Sequence, residues 1–325
     1  MRKILVTGGL GYVGCVLVQE LLKQGYLVNV IDLGIYGINL NKNRNLKLFI
    51  GDIRDQKLFQ ESVKDCDTVI HLACISNDPS FDLNPELGKS INLDAFRPIL
   101  EISKKEGVSR FVYASSSSVY GIKDEENVDE TFSLEPLTDY SKYKAECEKI
   151  LNEYQIPNFT TTILRPATVC GYSPRQRFDL VVNILTNLAY NRGSITVFGG
   201  SQLRPNIHIK DMVNAYLQII ETDEHKINGQ TFNVGFQNMP VLEIANLVKN
   251  SFNRNINISV EETDDNRSYH ISSKKIENQL NFKIKYTVND AIKDIIESFE
   301  KNKFKNSLEN ENYFNIKKMN SINLK

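Results

Sequence analysis

The amino-acid sequence predicts an α/β protein: a doubly wound parallel sheet followed by a smaller α/β domain. Two observations carry this. Through the first half, short β-branched apolar runs alternate with amphipathic stretches of helical period, the pattern of strands buried on both faces and joined by crossover helices. A glycine-rich turn, Gly8-Gly9-Leu10-Gly11-Tyr12-Val13-Gly14, joins the first run to the first helical stretch. Taken in order, 3–7, 28–31, 68–72, 110–113 and 161–165 read as parallel strands, and 13–24, 55–65, 86–106 and 139–154 as the helices among them. Pro166 then ends regular structure.

The second half is less regular. It predicts a helix at 178–191, a strand at 195–198, a helix at 210–221, strands at 230–234 and 256–260, and helices at 240–252 and 287–300. The Asn- and Lys-rich stretch 303–325 has almost no core pattern and reads as a frayed C-terminal extension. The expected division is 1–170, with a contribution from about 206–235, then 171–302 as a substrate-binding domain, then 303–325.

Composition narrows the function classes. The chain has 325 residues, 41% of them hydrophobic, and a net charge of −1. Basic residues are spread along it, which predicts no nucleic-acid or anionic-membrane partner. Five cysteines, Cys15, Cys66, Cys74, Cys147 and Cys170, show no CxxC or other metal spacing. They read as reduced thiols of a cytoplasmic enzyme, with no metal site. The sequence opens directly on a strand, so no signal peptide is expected, and no apolar run is long enough to span a bilayer.

The glycine turn has the GxxGxxG spacing between a strand and a helix, the context that makes a Rossmann dinucleotide site. Gly8 permits the tight turn, Gly11 admits a pyrophosphate, Gly14 lets helix and strand pack, and the helix N-terminus favours the anion. Asp32 ends the second strand eighteen residues after Gly14. A carboxylate there accepts hydrogen bonds from both ribose hydroxyls of NAD and repels a 2′-phosphate, and no Lys or Arg follows until Lys42. Asp52, in Gly51-Asp52-Ile53-Arg54-Asp55, is placed to receive an adenine amino group, while Asp55 suits a helix N-cap.

Tyr140 and Lys144 stand at i and i+4, on one helix face. An ammonium beside a phenol lowers its pKa, which would make Tyr140 a general base for a hydroxyl. A serine run, Ser115 to Ser118, lies at a strand end some two dozen residues earlier, where this sheet class builds its sites. Asn77 and Asp78, before Pro79, read either as an Asx cap or as pocket lining. His71, inside a buried strand, reads as a core histidine.

TGGLGYVG, Asp32, GDIRD, HLAC, YASSSSVYG, YSKYK and LRPATV occur in an order and spacing that resembles the extended short-chain dehydrogenase/reductase family, over about residues 1–300. The resemblance is to its NAD-dependent nucleotide-sugar epimerase/dehydratase group. It implies Ser116, Tyr140 and Lys144 as the catalytic set. It implies Tyr12, Val13, Ile53, Leu72, Ala73, Cys74, Asn92 and Pro166 as further cofactor contacts. Arg204, in RPNIHIKD, and Arg267, in DDNR, match positions that meet a substrate diphosphate, with His208 and Asp211 mostly structural. SPRQRFD and DNRSYHIS resemble a subgroup of epimerases and 4-dehydrogenases. They imply Arg175, Arg177 and Tyr269 at the sugar or phosphates, with Asn77 and Ser117 beside them and Asn183 where relatives hold the nucleotide.

Relatives that eliminate water carry an Asp-Glu pair after the catalytic hydroxyl, and related decarboxylases carry Glu at the second position. Here Ser117 and Ser118 stand there. The expected activity is therefore a nucleotide-sugar epimerase that oxidises a sugar hydroxyl, at C4, through Tyr140 and returns the hydride to the opposite face. A 4-dehydrogenase or 4-ketoreductase with net redox change is the alternative, and a silent NAD-sensing protein a third. The family resemblance also implies a homodimer.

Overall fold

The computed structural model describes residues 2–263, 267–322 and 324. Among these described residues twelve strands form three sheets. They are β1 (Lys3–Thr7), β2 (Leu27–Asp32), β3 (Leu46–Ile50), β4 (Thr68–His71), β5 (Arg110–Ala114), β6 (Thr160–Pro166), β7 (Thr168–Cys170), β8 (Ser194–Phe198), β9 (Leu203–His208), β10 (Gln230–Val234), β11 (Gln237–Pro240) and β12 (Asn257–Glu261). The main sheet has the order β3-β2-β1-β4-β5-β6-β10, parallel throughout. Strand order reverses between β1 and β4, and ligands of such sheets sit outside the strand ends at that reversal.

The buried strands follow from their composition. Ile4, Leu5 and Val6 are wholly inaccessible and alternate between two cores, one on each face of the sheet. The helix Tyr12–Lys23 lays Leu17, Val18 and Leu21 on one face. The helix Ile209–Glu221 packs beside it in the same core, through Met212, Val213, Tyr216 and Ile220. Residues 206–235 thus supply a covering helix and the edge strand β10. The second lobe has a mixed sheet, β11-β9-β7, and a parallel pair, β12-β8, around its own core.

Three expectations need correcting. Regular structure resumes after Pro166, because Thr168–Cys170 pairs with β9. The stretch 86–106 is not one helix. Helices Pro85–Lys89 and Phe96–Lys105 flank a wide π turn, Ser90–Asp94. Within that turn the Asn92 amide bonds both backbone groups of Ile75, at 2.8 and 2.9 Å.

The third correction concerns the C-terminal stretch, which is not frayed. Phe304 and Tyr313 pack against Phe178, with ring centres 5.0 and 5.3 Å away, and Phe178 stacks on Phe299. The Ser307 hydroxyl donates to Asn187 at 2.7 Å. A last helix, Asn315–Ile322, buries Asn315 and Met319. Three aromatic residues spaced irregularly make no helical or strand period, yet they fill one hydrophobic cluster.

Candidate active site

A cavity of about 830 Å³ opens at the strand-order reversal and runs between the lobes. The glycine turn forms one wall. Gly8 has φ +70°, and a Cβ there would stand 2.8 Å from the Ala73 nitrogen, so only glycine lets the turn lie against the chain after β4. A Cβ on Gly14 would stand 2.3 Å from the Gly8 carbonyl oxygen. Gly11 caps the helix Tyr12–Lys23 without a side chain, leaving the helix N-terminus bare toward the cavity. Backbone N–H groups and the helix dipole there suit a pyrophosphate.

Asp32 lies at the same wall. Its oxygens accept from Leu10 N at 3.0 Å and Gly34 N at 2.8 Å. Burial pushes its pKa up, against those N–H groups and the charge of Arg175. The sequence offered no cation before Lys42; the fold brings Arg175 to Asp32 from the second lobe. Asp52 also lines the cavity, but Arg54 grips its carboxylate through the backbone N–H at 2.8 Å and the side chain at 2.7 Å. Burial alone would raise the Asp52 carboxyl; the hydrogen bonds from Arg54 hold it below the usual range. Asp55 caps the next helix, accepting from Lys57 N and Leu58 N.

Ser116, Ser117, Tyr140 and Lys144 line the cavity, as do Val13, Ile53, Leu72, Ala73, Cys74 and Pro166. Ser116 follows β5 and caps a short 3₁₀ turn, accepting from Ser118 N at 3.2 Å. Tyr140 and Lys144 are set by the helix Asp139–Asn152, capped by the Thr138 side chain. One helical turn beyond Lys144, the buried Glu148 takes two hydrogen bonds from Arg165 of β6, at 3.0 and 2.6 Å, and another from Ser115. Arg165 also reaches the Tyr120 hydroxyl at 2.7 Å. This network fixes the helix against the sheet directly behind the candidate residues. Its one signal in the sequence is that Glu148 shares the inward face of Tyr140 and Lys144.

The electrostatics differ from the expectation. Burial drives the Tyr140 pKa well above the tyrosine range; Cys74 and Asp78 add to this, while Arg177 and a hydrogen bond with Ser116 oppose it. The Lys144 ammonium lies 5.8 Å from the Tyr140 ring centre and donates to the Ala114 carbonyl at 2.7 Å. In this pocket desolvation outweighs the neighbouring cation, so Tyr140 is a neutral phenol.

Arg204 and Arg267 come together on the second-lobe side of the cavity lining. The Arg204 guanidinium donates to the Arg267 carbonyl and lies 6.0 Å from the Tyr269 ring. Arg267 pairs with Asp78 at 2.8 Å. Asp264, Asp265 and Asn266 of the same motif lie outside the described residues. Asn77 is an Asx cap, accepting from Ser80 N at 3.0 Å, and also borders the cavity, so both readings of it apply. His208 stacks on Tyr286, and Asp211 accepts the N–H groups of Lys285 and Tyr286, so both are structural.

Two residues expected at ligands do other work. Asn92 is turned into the core, holding Ile75 as described. Asn183 accepts from Gly171 N at 3.0 Å and donates to the Tyr12 hydroxyl at 3.0 Å and the Arg177 carbonyl at 2.9 Å. It ties the loop after β7 to the glycine turn. Tyr36, Asn315 and Met319 also border the cavity, and no motif or spacing in the sequence marks them.

Among the described residues no helix is long and apolar enough to cross a membrane. Comparison with known proteins agrees with the geometry. The model of the NAD dependent epimerase/dehydratase family matches residues 4–235. A UDP-glucose 4-epimerase of Lactobacillus helveticus is 28% identical over 268 residues, 76% of this chain and 81% of that one. The crystal structure of a UDP-glucose 4-epimerase from Thermotoga maritima, with UDP-glucose, superposes with a TM-score of 0.80 at 26% identity, covering 93% of this chain and 99% of that one. MoeE5, in complex with UDP-glucuronic acid and NAD, gives 0.81 at 26% identity over 92% and 99%. With a glycine turn after β1, a carboxylate at the end of β2 and the Ser116–Tyr140–Lys144 cluster across the strand-order reversal, the chain is an NAD-dependent enzyme of the extended short-chain dehydrogenase type and belongs to the NAD dependent epimerase/dehydratase family.

Proposed function

We propose that the enzyme epimerises a nucleotide sugar at C4. The observation that carries this reading is the meeting of Ser116, Tyr140 and Lys144 at one cavity with serines in both positions after Ser116. Ser118 is bound to Ser116 at 2.8 Å and to Ser141 at 2.7 Å, so hydroxyls stand in both positions where relatives that eliminate water carry an acid and a base. Ser116 holds the sugar oxygen, and Tyr140 moves the proton at that oxygen. Lys144 holds the nicotinamide ribose, and the glycine turn and Asp32 hold the remainder of the dinucleotide. NAD, when bound, accepts the carbon-bound hydride and gives it back. The sugar turns about its diphosphate between the two transfers, with Arg204 and Arg267 as the pivot; guanidinium forks suit phosphate oxygens. Tyr269 and Ser117 border the sugar.

Incubation with UDP- and dTDP-hexoses, followed by chromatography of the products, tests the reading. The expected result is an isomer with no accumulation of NADH. A ketosugar formed with stoichiometric NADH would establish the 4-dehydrogenase alternative instead. Arg204→Ala and Arg267→Ala should each raise KM about 10- to 100-fold, the worth of one charged hydrogen bond, and leave NAD affinity unchanged. If neither variant weakens binding of UDP, the pivot is misassigned.

A further inference from the structure

The loop after β7 carries a feature that the proposed chemistry does not use. Arg175 and Arg177 are 4% and 8% exposed, and both border the cavity beside the glycine turn. Arg175 Nε and Arg177 Nη2 are buried and make no hydrogen bond. Buried guanidinium nitrogens without acceptors are costly, and where natural structures keep them a water, an ion or a functional ligand commonly supplies the acceptor. The charges facing them are few. Asp179 takes Arg177 Nε at 2.8 Å, and the Asp32 oxygens are already engaged by Leu10 and Gly34. Burial also lowers the Arg175 pKa to about 10, the mark of an under-compensated cation.

Their placement identifies the missing acceptor. The loop is stitched to the first residue of the cofactor helix: the Ser173 hydroxyl donates to the Tyr12 carbonyl at 2.7 Å, and the Tyr12 hydroxyl donates to the Gly171 carbonyl at 2.7 Å. Two and four residues after Ser173, the arginines therefore stand opposite the bare helix N-terminus. Arg177 Nη1 reaches Ser76, just after β4, at 3.1 Å. Arg175 lies over the Tyr36 ring, 3.6 Å from its centre, beyond the end of β2. The pair thus spans the width between the Asp32 wall and the β4 wall.

The C-terminal helix sets their aim. Asn315 Oδ1 accepts from Arg175 Nη2 at 2.6 Å and from the Tyr36 hydroxyl at 3.0 Å. Asn315 N donates to Asp179 at 2.9 Å, and Asn315 Nδ2 donates to Ser76 Oγ at 3.0 Å. We infer that Arg175 and Arg177 bind the pyrophosphate of NAD rather than the sugar nucleotide, and that Asn315 is their positioning residue, so that the C-terminal segment completes the cofactor site. This rests on the NAD dependence of the family and stands whether or not the sugar substrate is as proposed.

The test is calorimetric, on the apoprotein, with ADP-ribose, adenosine and UDP as separate probes. Arg177→Gln and Arg175→Gln should each weaken ADP-ribose about 10- to 100-fold while adenosine and UDP bind as to wild type. Loss of UDP affinity with ADP-ribose unchanged would return the arginines to the substrate and overturn the inference. An equal loss of ADP-ribose and adenosine, or no loss of either, would make them structural and overturn it too. Should the glutamine variants fail to fold by circular dichroism, Asn315→Ala decides: it keeps both charges and must still weaken ADP-ribose selectively, and Asn315→Gln should restore part of the loss. Wild-type affinity in Asn315→Ala would sink the positioning role.

Discussion

At the scale of single residues, burial decides the chemistry of both titrating groups behind the site. Tyr140 is driven toward its neutral form, so its capacity to take a proton grows as pH rises. The expected outcome is a kcat that keeps climbing across the neutral and mildly alkaline range. Tyr140→Phe should cut kcat on the order of 10²-fold or more and flatten that profile, as steady-state assays across pH would show. His71, under β4, bonds Thr7 at 2.9 Å, and burial, helped by Lys144, lowers its pKa from 6.5 to about 3. The folded chain refuses a proton that the unfolded chain accepts. Stability is therefore intact above pH 6.5 and is lost as pH falls toward 3, by about 1.4 kcal/mol per pH unit from this ring. Urea titrations of wild type and His71→Gln should show a shallower acid decline in the variant. Residue types were legible in the sequence where spacing constrains them, as with the glycines, Asp32 and Tyr140–Lys144. Asn92 and Asn183 were not, because an amide's partners depend on which chain passes beside it, and spacing does not encode that.

Among the elements, the helix Asp139–Asn152 depends on one ionic clamp. Arg165 and Glu148 have side chains 7% and 4% exposed, so removing one leaves the other charged and buried. Glu148→Ala should cost about 3–5 kcal/mol of stability, measured by denaturant midpoint, and should lower kcat as well by loosening Tyr140. A midpoint equal to that of wild type would show that the clamp does not hold the helix. The inner strands β1, β2, β4, β5 and β6 were readable because strands buried on both faces are near-continuous apolar runs, while the half-exposed edge strand β3 was not. β7, β9 and β11 were not, since Leu203–His208 and Gln237–Pro240 each contain a proline and polar residues that only their neighbours in the small sheet explain. The C-terminal segment escaped for a related reason. Phe304, Tyr313 and Phe314 serve a cluster begun by Phe178 and Phe299, so its logic lies across the fold and not within the segment.

The whole molecule is two lobes closed on a shared cavity, and its stability should follow occupancy. NAD at a hundred times its dissociation constant should stabilise the folded state by about 2.7 kcal/mol. NADP should do much less, because Asp32 repels a 2′-phosphate; equal thermal shifts for the two would contradict the role of Asp32. The general plan of sheet, cofactor turn and appended lobe was legible from period and motif alone. What joins the lobes was not, because it rests on pairs such as Tyr12–Gly171 and Arg177–Ser76 that lie more than a hundred residues apart. Asn315 is the extreme case, bonded to Tyr36 across 279 positions and to Ser76 across 239. Synthesis runs from the N-terminus, and domains fold as they emerge. The glycine turn, the parallel strands and both arginines therefore leave the ribosome before the amide that aims those arginines exists. A nascent chain can present a recognisable dinucleotide cradle while still lacking this support, so tight capture of the cofactor waits until Asn315 has emerged and docked.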